Sequence, residues 1–560
     1  LRRPTAAAAA ISAPLRHTLL LLALLCAALP VSARAAAGGA GLSDAEARGK
    51  RIYLSGESPS GGEVTALMGD GGIEVPATAL PCASCHGHDG RGRPEGGVEP
   101  SDLTWEALTR PYTITTLNGR RRGPYTPRLL TRAIGLGIDA SGNELDTVMP
   151  RYRMSHADSA DLVAFLRKLG LDPDPGVDEA TLDVGVLLPP RELPGAAATA
   201  AAVGRVTDAY SRRVNRDGGV YERQLRLHYE VLPADPAQRP AALRRFVTET
   251  PVFALVASYT AGADRALADA AEALELPLVG PLGLHPDESF PLNRQVFHLD
   301  GGLPAQVRAL AATARARAAE GAAPTYAVVA PPDGPLAGLA EMAARQLDKA
   351  RGEVTRLPYP ATRSTDAESR DAESKATGRA QAATDLARGL HAAAVGEILL
   401  LLPGDDAAAV LVALRDLIHP GWAPAVGIPG GLASRLPLEA GKPLPGRLFL
   451  AYNSLPGDVT PAGLERLGER LGEDLTARDP RQVHAFLAMD TLVQGLEESG
   501  RDLTREVLIT SLERVRNRPT GLSRPLSFGP NRRVGVRGAY VVELDPAGVG
   551  EPLAAEWVEP

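Results

Sequence analysis

Five consecutive residues, Cys82-Ala83-Ser84-Cys85-His86, constrain this chain more than any other stretch. Cysteine is scarce, three in 560 residues, and two of the three stand here. A structural zinc site would want a second pair of Cys or His ligands at similar spacing, and no further cysteine follows. A thiol redox pair would open a helix in a thioredoxin-like unit, whereas Gly87, Gly90 and Gly92 follow this pair. The spacing fits covalent haem attachment instead. Each thiol forms a thioether with one vinyl group, and the adjoining histidine ligates the iron from one side. One such motif implies one haem c.

Haem c is attached outside the cytoplasm, and the N-terminus reads as an export signal. Arg2, Arg3 and Arg16 give a positive start, Thr18 to Leu29 is apolar, and Ala33-Arg34-Ala35 offers a small-x-small cleavage site. The apolar run is too short for a membrane span of about twenty residues. Residues 1–35 are therefore expected to be a signal peptide, leaving a periplasmic chain without a transmembrane segment. The formal charge is -7, and cleavage would remove four arginines and make it more negative. That balance, with no basic tail, argues against a nucleic-acid partner. A length of 560 residues implies several structural units.

Residues 42–170 read as a small helical domain. Ser43-Asp44-Ala45-Glu46 starts a helix through Gly49, Ile52 and Tyr53, and Ser155 starts another in which Leu162, Phe165, Leu166 and Leu169 recur at three and four. Gly49 allows the two to approach closely. A glycine-rich loop over 56–72 is expected between the first helix and the cysteine pair. Within Val148-Met149-Pro150-Arg151-Tyr152, Met149 lies 63 positions beyond His86. This order of helix, C-x-x-C-H, methionine loop and closing helix resembles a class I cytochrome c domain. The resemblance implies that Cys82 and Cys85 hold the haem, with His86 and Met149 as the two axial ligands. Met68, Met154 and His88 are the competitors for the second position. A thioether favours ferrous iron and raises the potential, which suits an electron carrier. With both axial positions filled, no catalytic residues are expected, and the chain is not expected to be an enzyme. The arginines at 110, 120, 121, 122, 128 and 132, with Arg151 and Arg153 further on, concentrate positive charge and are read three ways: partners for haem propionates, a docking face for an acidic redox protein, or a solvated loop.

Leu171-Asp172-Pro173-Asp174-Pro175-Gly176 breaks the pattern, so residues 171–180 are expected to be a linker. Beyond Thr181 short apolar runs alternate with Ala-rich helical stretches, which implies parallel sheets covered by helices in two lobes. Thr250 to Thr260, an Ala-rich helix, and then Glu275-Leu276-Pro277-Leu278-Val279-Gly280-Pro281 resemble the type I periplasmic binding proteins of the branched-chain amino acid receptor group. The expected whole is thus multidomain: a small all-α cytochrome c domain, then a two-lobed α/β binding-protein-like domain over 181–556. One lobe is placed at about 181–302 and 455–520, the other at about 303–450 and 525–550, with three crossovers between them. Ligands in open α/β sheets sit at the carboxyl ends of strands, which selects Ser258, Tyr259, Thr260, Asp300, Tyr452 and Asn453. The resemblance implies that the hydroxyls near Ser258 meet a ligand carboxylate. Residues 361–380 read as a solvated insertion.

The expected function is a periplasmic mono-haem electron carrier fused to a small-molecule-binding module. Its partners would be a redox protein of the periplasm, with a quinoprotein dehydrogenase as a sensible donor, and a small ligand. The alternative is a solute receptor whose haem reports redox state or ligand occupancy.

Overall fold

The computed structural model describes residues 42–69, 72–87, 89–92, 100–116, 119–170, 174–318, 325–348, 353–360, 372–433, 447–471, 479–501, 503–544 and 552–559. The chain forms two compact units that divide between Leu171 and Asp172.

The first unit contains α1 (Asp44–Ser55), β1 (Thr65–Met68), β2 (Ile73–Pro76), α2 (Cys82–His86), α3 (Trp105–Thr109), β3 (Ile114–Thr115), β4 (Arg121–Arg122), α4 (Pro127–Leu136), β5 (Arg151–Arg153) and α5 (His156–Leu166). Ser43 starts α1 with a reciprocal cap: its hydroxyl accepts from the Glu46 amide, and Glu46 Oε2 accepts from the Ser43 amide at 2.7 Å. Helices α1 and α5 cross at Gly49, where a Cβ would lie 2.0 Å from the Asp161 carbonyl oxygen. Any side chain there would push the helices apart. Beside the crossing, Arg48 grips both carboxylate oxygens of Asp161 at 2.6 and 3.0 Å, and the Tyr53 and Phe165 rings meet at a 54° tilt with centroids 5.5 Å apart. The stretch expected as a glycine loop instead carries the hairpin β1–β2, and β5 pairs antiparallel with β1. Glycine-rich spacing hid these strands, since Gly69 and Gly72 at positive φ make the turn rather than a longer loop.

The second unit begins before its first strand. Residues 174–177 of the expected linker are seated on it: Asp174 accepts from the Arg505 amide at 2.5 Å, and Gly176 lies so near Val252 and Phe253 that a Cβ would clash. Its elements are β6 (Thr181–Leu188), α6 (Ala196–Arg216), β7 (Gln224–Val231), α7 (Arg239–Glu249), β8 (Ala254–Val256), α8 (Asp264–Ala273), β9 (Leu278–Val279), β10 (Val296–Asp300), α9 (Gly302–Ala318), β11 (Thr325–Ala330) and α10 (Pro335–Asp348). There follow β12 (Glu353–Pro358), α11 (Ala372–Ala392), β13 (Glu397–Leu400), α12 (Gly404–Arg415), β14 (Ala425–Pro429), β15 (Leu448–Tyr452), α13 (Pro461–Leu471), α14 (Pro480–Ser499), α15 (Arg505–Glu513), β16 (Val534–Val536), β17 (Ala539–Leu544) and β18 (Pro552–Val558).

Two sheets result. The first has order β16-β10-β9-β8-β6-β7 with every pair parallel. The second has order β12-β11-β13-β14-β15-β17-β18, parallel except for β15–β17 and β17–β18. Each sheet has an apolar cluster on either side. Burial on both faces explains the continuous runs in strands such as Tyr326-Ala327-Val328-Val329. Helix α14 is buried along most of its length against the first sheet, which is why its apolar residues show so little sidedness.

The chain passes between sheets three times: after Asp300, after Asn453 and between Val536 and Ala539. The last passage corrects an expected boundary, because β16 belongs to the first sheet although 525–550 was assigned to the second lobe. Two residues, Arg537 and Gly538, separate β16 from β17, so no composition change marks the crossing. Of the expected solvated insertion, 361–371 lies outside the described residues, and α11 begins at Ala372. Among the described residues no helix is long and apolar enough to cross a membrane.

Candidate haem site and ligand cleft

Helix α2 is a single turn held at both ends by tyrosine hydroxyls. Tyr152 donates to the Leu80 carbonyl just before it, and Tyr53 donates to the Gly87 carbonyl just after it, both at 2.7 Å. Cys82 is half-buried, Cys85 is exposed, and neither is in a disulfide. Burial pushes the Cys82 thiol up to about 12. His86 is buried, and its Nδ1–H donates to the Ser101 carbonyl at 2.9 Å. That bond fixes the tautomer and leaves Nε2 with a free lone pair, the state an iron ligand needs. Burial lowers the pKa of this imidazole, which keeps it neutral.

Met149 and Met154 pack on the apolar cluster of Val64, Ala66, Ala77 and Tyr152, and Cys82 packs on the same cluster. Cys82 and Met149, 67 positions apart, are thus brought to one place, with Met154 beside them. Met68 is exposed on β1, and His88 lies outside the described residues. The residues present therefore fit haem c: two free thiols on one turn, an oriented imidazole and a thioether against a shared apolar wall.

The loop carrying Met149 is organised by Arg151, which sequence reasoning counted only as positive charge. Its guanidinium donates to the carbonyls of Leu145 (2.7 Å), Asp146 (3.3 Å) and Met149. Gly137, at φ +68°, makes room for it, since a Cβ there would lie 1.7 Å from Arg151 Nε. The arginines expected on a loop or docking face are partly committed to the scaffold. Arg122 is buried and donates to the carbonyls of Ala107, Leu108 and Gly123; Arg132 donates to the Asp139 carbonyl; Arg120 pairs with the Asp139 carboxylate at 3.6 Å.

In the second unit the candidate ligand residues separate into two groups. Ser258 is fully buried; its hydroxyl accepts from the Leu187 amide at 3.0 Å and donates to the Val256 carbonyl at 3.2 Å. Thr260 is buried and donates to Asp264 Oδ1 at 2.8 Å. Both hydroxyls are spent in tying the loop after β8 to its neighbours. In this arrangement neither hydroxyl hydrogen is left to donate to a ligand carboxylate. Tyr259 is half-buried, with the Arg239 guanidinium 6.0 Å from its ring centre, and burial raises its phenol pKa.

The second group converges. Asp300 ends β10 and Asn453 follows β15, so they stand at the first two crossovers, one from each sheet. Asn453 Nδ2 donates to Asp300 Oδ1 at 2.7 Å, and the Gly302 amide donates to the same oxygen at 2.9 Å. Gln306 donates to Asn453 Oδ1 and accepts from the Gly431 amide at 3.1 Å. Tyr452, half-buried, lies over Gly430, where a Cβ would come within 2.4 Å of its ring. His484, from the start of α14, reaches the same corner: its Nε2–H donates to the carbonyls of Gly280 and Pro281 at 3.2 Å each, and Nδ1 lies 4.0 Å from Asp300 Oδ2. Sequence reasoning missed His484 and Gln306, because neither follows a strand and their partners are remote in the chain.

A family model described as periplasmic binding protein matches residues 181–549. The chain belongs to the periplasmic binding protein family. A second model, cytochrome c, matches residues 77–170, so a cytochrome c domain precedes the binding-protein part. Together they make a haem-binding protein fused to a ligand-binding module. No curated protein matches the chain. Among solved structures, a fatty acid ABC transporter substrate-binding protein from Thermomonospora curvata is 18% identical, with a TM-score of 0.50, covering 69% of this chain and 94% of that one. An ABC transporter substrate-binding protein from Aeropyrum pernix is 14% identical, with a TM-score of 0.50, covering 68% and 97%. A branched-chain amino acid ABC transporter protein from Thermus thermophilus with bound valine is 15% identical, with a TM-score of 0.47, covering 67% and 96%. At these identities the first two likenesses establish the fold of the binding-protein part and nothing finer.

Proposed function

We propose that the protein is a periplasmic mono-haem electron carrier whose second module binds a small molecule. Cys82 and Cys85 would carry the thioethers, and His86 and Met149 the two axial bonds. When bound there, haem c supplies a one-electron couple. The chain's own part is to present His86 Nε2 by holding Nδ1 on Ser101, to grip α2 through Tyr53 and Tyr152, and to bring Met149 to the wall that carries Cys82. The observation that carries this reading is the His86–Ser101 bond, because it points an unprotonated nitrogen away from the scaffold.

An electron carrier fused to a binding module suits a donor that oxidises the bound molecule or a relative of it. A periplasmic quinoprotein dehydrogenase is such a donor, and an N-terminal signal peptide over residues 1–35 would deliver the chain to it.

The test begins with the holoprotein, expressed with a haem c maturation system. One haem per chain, a low-spin spectrum and no carbon monoxide binding by the ferrous form are expected. Met149→Ala should open the site to carbon monoxide, while Met154→Ala should not. A colourless product, or a carbon monoxide adduct of the native protein, refutes the reading.

A further inference from the structure

Besides the three crossovers, one loop joins the two lobes without a covalent passage. It runs over residues 280–295 between β9 and β10, so both of its ends belong to the first sheet. Two contacts fix it to α8 on that side: Arg265 pairs with Asp287 at 3.5 Å, and Asn293 Nδ2 donates to the Ala268 carbonyl at 2.8 Å. Its middle reaches the other way. Arg308 Nη2 donates to Glu288 Oε2 at 3.0 Å, and Glu288 Oε1 pairs with Arg537 Nε at 3.0 Å. Arg308 stands on α9, whose Leu303, Val307, Leu310 and Ala311 pack into an apolar cluster of the second sheet. Arg537 stands in the third crossover. At the start of α9 the Leu303 amide donates to the Leu284 carbonyl at 2.9 Å, and a Cβ on Gly302 would lie 2.6 Å from that carbonyl oxygen.

Such a connection responds to rotation of one lobe against the other. Arg308 lies about 9 Å along the α9 axis from Gly302, at a rise of about 1.5 Å per residue. A hinge rotation of about 20° at the first crossover would carry Arg308 about 3 Å. A contact of 3.0 Å opened by that much is no longer a hydrogen bond. The pair is also sheltered enough to matter: the Arg308 and Glu288 side chains are 20% and 22% exposed, and one carboxylate serves two guanidinium groups.

We propose that Glu288 is a latch between the lobes. The loop over 280–295 straps them in their present arrangement, and a substantial lobe rotation has to break the Glu288–Arg308 pair. The crossovers by themselves permit a range of rotations, whereas this pair favours one. The latch works without a ligand, so it goes beyond the binding role proposed above and stands whatever the module binds.

The experiment compares the full-length holoprotein with Glu288→Gln and Arg308→Gln, singly and together. Hydrogen exchange read by mass spectrometry follows the Leu303 amide. Pulsed dipolar spectroscopy follows the distance between spin labels on Glu249→Cys in the first lobe and Asp385→Cys in the second, both exposed positions on helices. Each single variant should speed exchange at Leu303 roughly tenfold and shift or broaden the distance distribution. The double variant should exceed Glu288→Gln by little, because the partner is already lost there. Arg308→Gln carries the test if Glu288→Gln does not fold. Faster exchange with an unchanged distance distribution would mean that the loop frays while the lobes stay in place, and it overturns the latch. Unchanged exchange and distances in both single variants overturn it too, as does a double variant in which the two effects simply add.

Discussion

Arg151 is expected to control how firmly Met149 is presented. Its guanidinium reaches three carbonyls of one short loop, those of Leu145, Asp146 and Met149. A charged hydrogen bond contributes about 1.5–3 kcal/mol where water is excluded, but this loop is half exposed and water would replace much of each bond. A net loss of about 2–3 kcal/mol for Arg151→Gln follows, which is roughly a 30- to 150-fold shift toward loop conformations that release the thioether. Lysine should not rescue, because a single ammonium cannot serve a fork of carbonyls. The assay is the far-red charge-transfer band of thioether bound to ferric haem, followed together with the reduction midpoint. Both should fall in Arg151→Gln, with Met149→Ala marking the fully detached state. Gly137→Ala gives an independent route to the same result, since its φ is +68° and the new Cβ would displace the guanidinium. A normal band and midpoint in Arg151→Gln, in a protein whose Met149→Ala variant loses both, would refute the reasoning.

Gly49→Ala places a methyl 2.0 Å from the Asp161 carbonyl, and backbone cannot step aside cheaply. The α1–α5 crossing should lose about 2–3 kcal/mol, lowering the cytochrome transition by roughly 10 °C in Soret-region circular dichroism; an unchanged midpoint would contradict the packing. Tyr53→Phe leaves the Gly87 carbonyl without its hydroxyl partner and should cost about 1–3 kcal/mol of the same transition. Burial pushes His298 down to about 4, with Asp300 and Asp287 opposing this and His484 adding to it. The unfolded chain protonates this histidine first, near pH 6.5, so its contribution is intact above that value and drains away as pH falls toward 4. The full shift would amount to about 3 kcal/mol, and partial solvent access reduces it to about 1–2. His298→Gln should flatten urea-unfolding stability across that window relative to wild type; parallel curves would exclude the assignment.

The cysteine pair, the two helices that frame it and the strand–helix rhythm beyond Thr181 are legible in the chain before it folds. Each is written in short spacings: two thiols and an imidazole within five residues, Ser43 three before Glu46, apolar runs bounded by glycine and proline. Gly49 was legible too, because a glycine inside a capped helix costs stability unless something needs the space. Which polar atoms stay available depends on contacts between segments far apart in the chain. Ser258 follows a strand as a ligand residue would, yet its hydroxyl turns inward to the Leu187 amide, a partner 71 positions away. Arg151 looked like one charge among many until Gly137 and the methionine loop closed around it. Strands β12, β16 and β18 lie at sheet edges and lack a distinct apolar run, and they are strands only because a neighbour supplies the ladder. Periodicity and covalent spacing are properties of the chain as a line, whereas hydrogen-bond satisfaction depends on which distant segments meet.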